Sequence, residues 1–264
     1  LDENGQPAAS VDAKSPDGKV IGTFTVDKAT GVVTFTPTDK TYSGDVVAVK
    51  VQAKDANGTP AETTYTPKIT PVVPTAEDVT SKDKQGQTQT GKPKFTEGNP
   101  NIPMDDDTPA TFEDGSTTKV IPGEGTYTVA PDGSVTFVPE KSFTGTGTGV
   151  TVKRVDKNGT PVTAKYTPTV RPDTSFVDKD GNPLSPTEDG TKPTKDIPGY
   201  KIVKTEVDEK GNTKHIYEKV KTSFKDKEGN EIPGNPSEDG EQPKKDIPGY
   251  RFVETKKLPN GDTE

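Results

Sequence analysis

Apolar residues in this chain alternate with polar residues in short runs, which is the pattern of β-strands with one buried face. Within residues 47–53, Val and Ala occupy every second position and are separated by Ala, Lys and Gln. Residues 33–36 and 135–138 form further β-rich runs. No stretch of helical length has a 3.6-residue period, and 26 prolines interrupt helices and keep strands short. The pattern predicts an all-β chain, with room for one short helical turn in each of the smaller repeats defined below.

Turn signals lie between these runs. Asn57-Gly58, Asn158-Gly159, Asn260-Gly261 and Asp132-Gly133 predict hairpin turns, because both residues of such pairs accept positive φ.

A long repeat organises the first two thirds of the chain. Segments 22–26 (GTFTV), 31–37 (GVVTFTP) and 55–60 (DANGTP) return as GTYTV, GSVTFVP and DKNGTP, and the offset between copies drifts from 103 to 101 residues. Such an internal period predicts tandem modules of about one domain each. By this reading the first copy lacks its N-terminal part.

A shorter repeat follows. Residues 178–182 (DKDGN) and 195–200 (KDIPGY) return as DKEGN and KDIPGY, at offsets of 48 and 50 residues. The first copy continues through Lys214-His-Ile-Tyr217, whereas the second stops at Glu264. We therefore expect the last module to lack most of a returning strand.

These repeats predict four modules, at residues 1–72, 73–171, 172–219 and 220–264. The segment 74–115 is proline-rich and poor in apolar residues, so it reads either as a linker or as the irregular first half of the second long repeat. The length of the repeat favours the second reading. The fold class we expect is a series of small β-sandwich or β-grasp-like modules arranged as an elongated rod.

Composition supports several small cores instead of one large core. Only 25% of the residues are hydrophobic, and small units bury a smaller fraction of their surface. The net charge of −8 is too weak to favour disorder, and it argues against nucleic acid as a partner. No apolar run is long enough to span a membrane, and there is no signal peptide. Because residue 1 is Leu and not Met, we expect the chain to be a piece of a longer protein.

The long repeat resembles the CshA-type fibril repeat of Gram-positive, mainly streptococcal, cell-wall adhesins. The resemblance lies in residues 74–78 (PTAED), 86–91 (GQTQTG), 121–129 (IPGEGTYTV) and 133–139 (GSVTFVP). The first copy matches more loosely, because KVIG at 19–22 stands in place of the IPGEG element. The short repeat resembles the MucBP-like repeats of the same wall-anchored proteins, through residues 176–181 and 196–200.

The resemblance implies an exported stalk with no catalytic residues. The expected function is a monomeric structural segment of an extracellular, cell-wall-anchored adhesin, which projects an adhesive region from the wall. The alternative is that the repeats themselves bind host glycoprotein or extracellular matrix, such as mucin or fibronectin. The partners we expect are such host molecules or other bacterial surfaces. We expect no enzyme activity, no cofactor, no metal, and no membrane contact within these residues. Related adhesins also imply Lys–Asn isopeptide bonds beside a buried acid, although the sequence shows no specific triad.

The candidate chemistry is sparse. The chain has one histidine and no cysteine, which excludes zinc sites and Cys–His nucleophilic pairs. His215 lies in an alternating run, so we expect it to be a surface strand residue.

Two acidic segments raise the question of calcium. Residues 178–182 are similar to the start of an EF-hand loop, but Pro183 stands where that loop needs Gly, and Asp189 stands where it needs Glu. A hairpin turn is the simpler interpretation. Residues 105–107, three consecutive aspartates, form a second candidate for calcium, against a solvated acidic loop.

The remaining motifs favour structure over ligand binding. The glycine-rich run 145–149 precedes a strand and not a helix, which predicts a sheet edge or bulge and not a phosphate site. Aromatic residues recur in register between repeats, which predicts one core anchor for each module. The matched pairs are Phe35 with Phe137, Tyr42 with Phe143, Tyr65 with Tyr166, and Tyr200 with Tyr250.

Overall fold

The computed structural model describes residues 1–264, and every regular element in it is a β-strand. The all-β prediction is confirmed, and the short helical turns that the sequence allowed are absent. No helix exists that could cross a membrane.

The first unit, residues 1–69, has a three-stranded antiparallel sheet in the order β1-β2-β3 and two smaller pairs, β4 with β7 and β5 with β6. Its strands are β1 (Ser10–Lys14), β2 (Val20–Val26), β3 (Val33–Pro37), β4 (Gly44–Asp45), β5 (Val49–Lys54), β6 (Pro60–Tyr65) and β7 (Lys68–Ile69). Five buried apolar residues form its core: Ala13, Ile21, Phe24, Val46 and Val49.

The complete repeat, residues 75–171, is a sandwich. Its strands are β8 (Thr75–Glu77), β9 (Val79–Lys84), β10 (Gln89–Gly91), β11 (Lys94–Thr96), β12 (Thr111–Phe112), β13 (Thr118–Ile121), β14 (Gly125–Val129), β15 (Val135–Pro139), β16 (Gly145–Thr146), β17 (Val150–Val155) and β18 (Pro161–Arg171). One sheet has the order β10-β15-β14-β13, and the other has the order β12-β17-β18-β16 with β9 parallel to β18. Inward-facing residues of both sheets form one core of ten buried side chains. The proline-rich segment 74–115 therefore supplies strands of the repeat and is not a linker.

The first short unit, residues 173–219, is a single four-stranded sheet in the order β20-β19-β22-β21. Its strands are β19 (Asp173–Asp178), β20 (Pro183–Asp189), β21 (Tyr200–Val207) and β22 (Thr213–Lys219). The two central strands, β19 and β22, are parallel. Phe176 and Tyr217 lie on the buried face.

The second short unit, residues 221–264, has much less sheet. Only β23 (Lys221–Thr222) and β24 (Glu238–Asp239) form a ladder, and isolated bridges join Thr222 to Thr263 and Lys257 to Thr263. Residues 250–256, which correspond to β21, form no strand.

The predicted turns are present, but their backbone conformation differs from the one expected. At 55–59 the Asp55 carboxylate accepts hydrogen bonds from the Asn57 and Thr59 N–H groups, and the Gly58 N–H donates to the Asp55 carbonyl. Only the glycine has positive φ, +79°, and no non-glycine residue of the chain does. The turn is therefore a longer loop closed by an Asp side chain and a left-handed Gly, not a two-residue turn with positive φ at both positions.

The molecule exposes far more surface than a globule of its mass. Its accessible area is 16272 Å², whereas a compact 28.1 kDa protein exposes about 11,000 Å². Strand pairings stay within residues 1–69, 75–171, 173–219 and 221–264. The excess surface follows from dividing the chain among several small cores.

Candidate functional site: the buried carboxylate and the structural clusters

One carboxylate is buried inside the complete repeat, at a position that no sequence motif indicated. Glu124 is 7% exposed and accepts hydrogen bonds from the Tyr127 hydroxyl and from the Thr148 N–H and hydroxyl. Burial, and after it the Glu124 carboxylate, raises the pKa of Tyr127, so the phenol stays protonated and donates. The arrangement satisfies a buried charge with hydrogen bonds and without a cation.

The glycine-rich run 145–149 makes room for this carboxylate. A Cβ at Gly147 would lie 2.6 Å from the Tyr127 hydroxyl oxygen and 2.8 Å from Glu124 Oε1. β16 pairs with β18 at the start of the run, and β17 begins after it, so the run crosses the sheet edge as predicted. Its specific role is to let the backbone approach the buried acid closely.

The first unit replaces this polar arrangement with an apolar one. We call Glu124, Tyr127, Gly147 and Thr148 the carboxylate quartet, and their repeat counterparts Ile21, Phe24, Val46 and Val47 the apolar quartet. Ile21, Phe24 and Val46 are buried, and the Val47 N–H donates to the Lys14 carbonyl instead of to a carboxylate. A comparison of the two copies position by position is the sequence signal that would have revealed the site.

His215 is not a surface residue, and that prediction was wrong. It is 3% exposed and lies in parallel register with Phe176, with the two rings 5.4 Å apart. Its Nδ1 is 2.7 Å from the Thr205 hydroxyl and its Nε2 is 2.8 Å from the Lys192 carbonyl oxygen. Because Thr213, His215 and Tyr217 face inward together, the histidine is a hydrogen-bonded core residue.

The EF-hand-like segment 178–182 is a closed turn. The Asp178 carboxylate accepts hydrogen bonds from the Asp180 and Asn182 N–H groups and from the Asn182 side chain, and these lower its pKa. Asp189, the acid at the twelfth place of the EF-hand pattern, instead forms a two-pronged ion pair with Arg171. The Asp178 and Asp189 carboxylates are therefore engaged within the protein.

The acidic run 105–107 is paired with basic side chains. The Lys157 ammonium lies 2.6 Å from both the Asp105 and the Asp107 carboxylates, and Arg154 lies 2.7 Å from Asp106. The hydrogen bond from Lys157 lowers the pKa of Asp105 to about 2. Each of the three aspartates thus has a lysine or arginine as its ion-pair partner.

Both short units contain the same lysine–aromatic–glutamate cluster. In the first, the Lys195 ammonium lies 4.0 Å from the centre of the Phe176 ring and 2.6 Å from Glu188. In the second, Lys245 lies 4.6 Å from the centre of the Phe224 ring and pairs with Glu238. A cation over a ring face, neutralised by a carboxylate, stabilises a thin core that has few apolar residues.

The predicted aromatic anchors follow the repeat only in part. Tyr127, Phe137 and Tyr166 are fully buried, and the Tyr127 and Phe137 rings stack 4.5 Å apart. Tyr65, the counterpart of Tyr166, is 38% exposed, because the first unit has no counterpart of β9 and β10 over it. Tyr250 is 51% exposed, so its assignment as a core anchor was wrong.

Comparison with known proteins identifies the repeats. A family described as the surface adhesin CshA repetitive domain matches residues 1–69 and 71–170. The chain belongs to the CshA repeat family. The long CshA repeats predicted from residues 74–172 and from the looser first copy are thereby confirmed, and the chain is a repeat segment of a surface adhesin.

The short repeats match a different description from the one expected. The SSSPR-51 domain matches residues 173–219 and 220–264, and the MucBP-like resemblance is not confirmed. The CshA match is to an adhesin repeat family, which is structural rather than catalytic.

Two of the similar proteins come from streptococci. An 83-residue stretch, 31% of the chain, is 49% identical to the muramidase-released protein of Streptococcus suis, and it spans only 6% of that protein. Repeat domain 13 of the fibrillar adhesin CshA from Streptococcus gordonii is 63% identical, over 27% of this chain and 91% of that domain, with a TM-score of 0.17. A tetra-tandem repeat from the extending region of a large adhesion protein is 18% identical, over 88% and 57% of the two chains, with a TM-score of 0.21.

Proposed function

We propose that this CshA repeat segment is a spacer in an extracellular, cell-wall-anchored adhesin and holds an adhesive region away from the wall. The observation that carries the proposal is the continuity of strands across unit junctions. β18 ends at Arg171 and β19 begins at Asp173, so Pro172 alone lies between them. Val220, which is buried, alone separates β22 from β23. Short junctions of this kind favour a stiff rod over freely jointed units.

The proposed modules are 1–72, 73–171, 172–219 and 220–264. Contacts between neighbours support an end-to-end arrangement. The Thr144 hydroxyl donates to the Lys210 carbonyl, and the Lys201 ammonium lies 2.7 Å from Asp262. Each of these contacts joins a loop or strand end of one unit to the next unit only, as in a linear array.

A passive, non-enzymatic role is part of the proposal. The buried acid, the histidine and the aspartate run each have hydrogen-bond or ion-pair partners that hold the fold. His215 lies beside the Thr205 hydroxyl, but its ring is 3% exposed and its Nε2 is hydrogen-bonded to the Lys192 carbonyl, so both ring nitrogens are engaged within the fold.

Small-angle scattering tests the rod. A compact 264-residue globule would have a radius of gyration of about 18 Å, and we expect a clearly larger value with the pair-distance profile of a rod. A compact value would overturn the spacer proposal.

Binding experiments separate a spacer from an adhesin. We expect immobilised mucin and fibronectin to retain the chain weakly or not at all, because it has no tryptophan and no basic patch to anchor an interface. Saturable binding with a sub-micromolar Kd would show that the repeats themselves recognise host glycoprotein or matrix.

A further inference from the structure

Two of the four units join their first and last long strands in parallel. In the complete repeat, residues 79–84 of β9 pair with residues 166–171 of β18, from Val79 opposite Tyr166 to Lys84 opposite Arg171. In the first short unit, Thr174 to Asp178 of β19 pair with Thr213 to Tyr217 of β22.

This arrangement decides how the units respond to a pull on the ends of the chain. Tension reaches β9 at its N-terminal end and β18 at its C-terminal end, which lie at opposite ends of the same ladder. The two strands must then slide past each other, so the hydrogen bonds of the ladder are loaded together and not one after another. The evenly spaced bonds of a parallel pair share such a load.

Tension also passes directly from one such pair to the next. β18 continues through Pro172 into β19, and Arg171 is held to Asp189 of β20 by two hydrogen bonds of 2.9 and 2.7 Å to one carboxylate oxygen. The last strand of one pair is therefore continuous with the first strand of the next.

The other two units lack this arrangement. In residues 1–69 every pairing is antiparallel, and in residues 221–264 the only parallel contact is the single bridge between Thr222 and Thr263. One molecule therefore contains units with and without the parallel ladder.

We propose that the β9–β18 and β19–β22 pairs are mechanical clamps, which give the chain a second function of resisting tension between a cell and the surface it holds. The inference rests on the proposed spacer function and deepens it. It does not follow from the rod shape alone, since a rod of antiparallel hairpins would open under a low force.

Single-molecule pulling on the whole chain, held at its two ends, tests the proposal. Opening of residues 75–171 should release about 330 Å of chain and opening of residues 173–219 about 160 Å, at forces several-fold above the opening of residues 1–69, which releases about 240 Å. Opening of residues 75–171 at the same low force as residues 1–69 would overturn the clamp.

A change of pulling direction is the matched control. The chain has no cysteine, so pairs of introduced cysteines define the points of attachment. Val73→Cys with Pro172→Cys loads the β9–β18 ladder along its length. Gln87→Cys with Pro172→Cys loads the same ladder at one end, where it can peel open bond by bond. We expect the first pair to rupture at a force several-fold higher than the second.

Amide exchange of residues 79–84 in both double variants establishes that the ladder is intact before pulling. Equal rupture forces in the two directions would refute the clamp and leave the spacer function standing, because scattering tests the rod shape independently. A compact scattering profile with a strong directional difference would refute the spacer and leave the clamp.

Discussion

At the scale of single residues, Glu124 shows that one architecture tolerates two different cores. The carboxylate quartet satisfies a buried charge through Tyr127 and Thr148. In the apolar quartet, Ile21, Phe24 and Val46 fill the same place with side-chain volume, and Val47 is half exposed. A buried charge seldom adds stability over a well-packed apolar core, but removing one member of a polar set leaves its partners unsatisfied.

We expect Glu124→Ile alone to destabilise the complete repeat by about 3 kcal/mol, since it leaves the Tyr127 hydroxyl and the Thr148 N–H without a hydrogen-bond acceptor. Adding Tyr127→Phe, Gly147→Val and Thr148→Val should recover most of the loss, because it completes the apolar quartet. Urea unfolding, monitored through the NMR signals of residues 75–171, measures the free energy of unfolding of the single variant and of the fourfold variant. If the fourfold variant is no more stable than Glu124→Ile, the apolar quartet cannot replace the carboxylate quartet in this repeat.

The Lys157 pair gives a pH dependence with a defined sign. The pKa of Asp105 is lowered to about 2 from its ordinary 3.8, so the folded state favours the carboxylate. This stabilisation is complete above pH 4 and is lost as the pH falls towards 2. Lys157→Met should therefore lower the melting temperature of the complete repeat at pH 6 and change it little at pH 2.

Lys141→Met, which replaces an exposed lysine without an ion-pair partner, is the control for that experiment and should leave the pH profile unchanged. A Lys157→Met effect of equal size at pH 6 and pH 2 would show that the side chain acts through packing and not through charge.

Local chemistry at single residues was predictable where it repeats. The Asp178 turn was predicted from a motif that returns at residues 226–230, whereas the glycine run at 145–149 does not repeat and was predicted from the strand that follows it. His215 was placed on the surface because its burial depends on β19, about forty residues earlier in the chain, and periodicity within β22 cannot show which face is covered. Glu124 was missed for a similar reason, since its partner Thr148 lies 24 residues later in the chain, between β16 and β17.

At the scale of elements, the two-residue period predicted strands because each strand has one buried face. It did not predict which strands pair, since the parallel β9–β18 and β19–β22 ladders depend on contacts far apart in sequence. Residues 250–256 repeat the apolar positions of β21 without forming a strand, because they lack the partner that β22 provides for β21. A β-strand forms only where a neighbouring strand pairs with it, in addition to having alternating apolar and polar residues.

Hydrogen exchange should distinguish the two short units despite their shared sequence. Tyr200 to Val207 pair with β22, whereas Tyr250 and Phe252 are about half exposed and residues 250–256 have no ladder. We expect amides of residues 250–256 to exchange much faster than those of residues 200–207. Equal protection in mass spectrometry would show that the second unit has a fuller sheet than the structure describes.

At the scale of the whole molecule, the Thr144–Lys210 hydrogen bond and the ion pair between Arg171 and Asp189 both hold the junction between the complete repeat and the first short unit. The Arg171 guanidinium contacts Asp189 through both Nε and Nη2, a geometry that lysine cannot reproduce. We expect Arg171→Lys to leave both units folded but to increase their relative motion.

NMR relaxation of residues 75–171 and 173–219 measures this motion. A rigid pair of units tumbles as one elongated body, so a single rotational diffusion tensor describes the relaxation of both. Lys179→Arg, which keeps the charge at an ion pair within the short unit, is the control and should not change the tumbling. Identical relaxation in Arg171→Lys and the parent chain would assign the stiffness of the junction to Pro172 and the Thr144–Lys210 hydrogen bond instead.

The two quartets also bear on how a gene that encodes such repeats can change. Tandem copies misalign during replication, and unequal crossing-over then fuses the start of one copy to the end of another. A junction between the second and third quartet positions would join Glu124 and Tyr127 to the counterpart of Val46, whose Cβ would lie within 3 Å of both polar groups. The reciprocal product would combine Ile21 and Phe24 with glycine and leave a void in the core. Hybrid genes with junctions outside this window should encode folded repeats, and those with junctions inside it should not, so recombination would shuffle these quartets only as intact blocks.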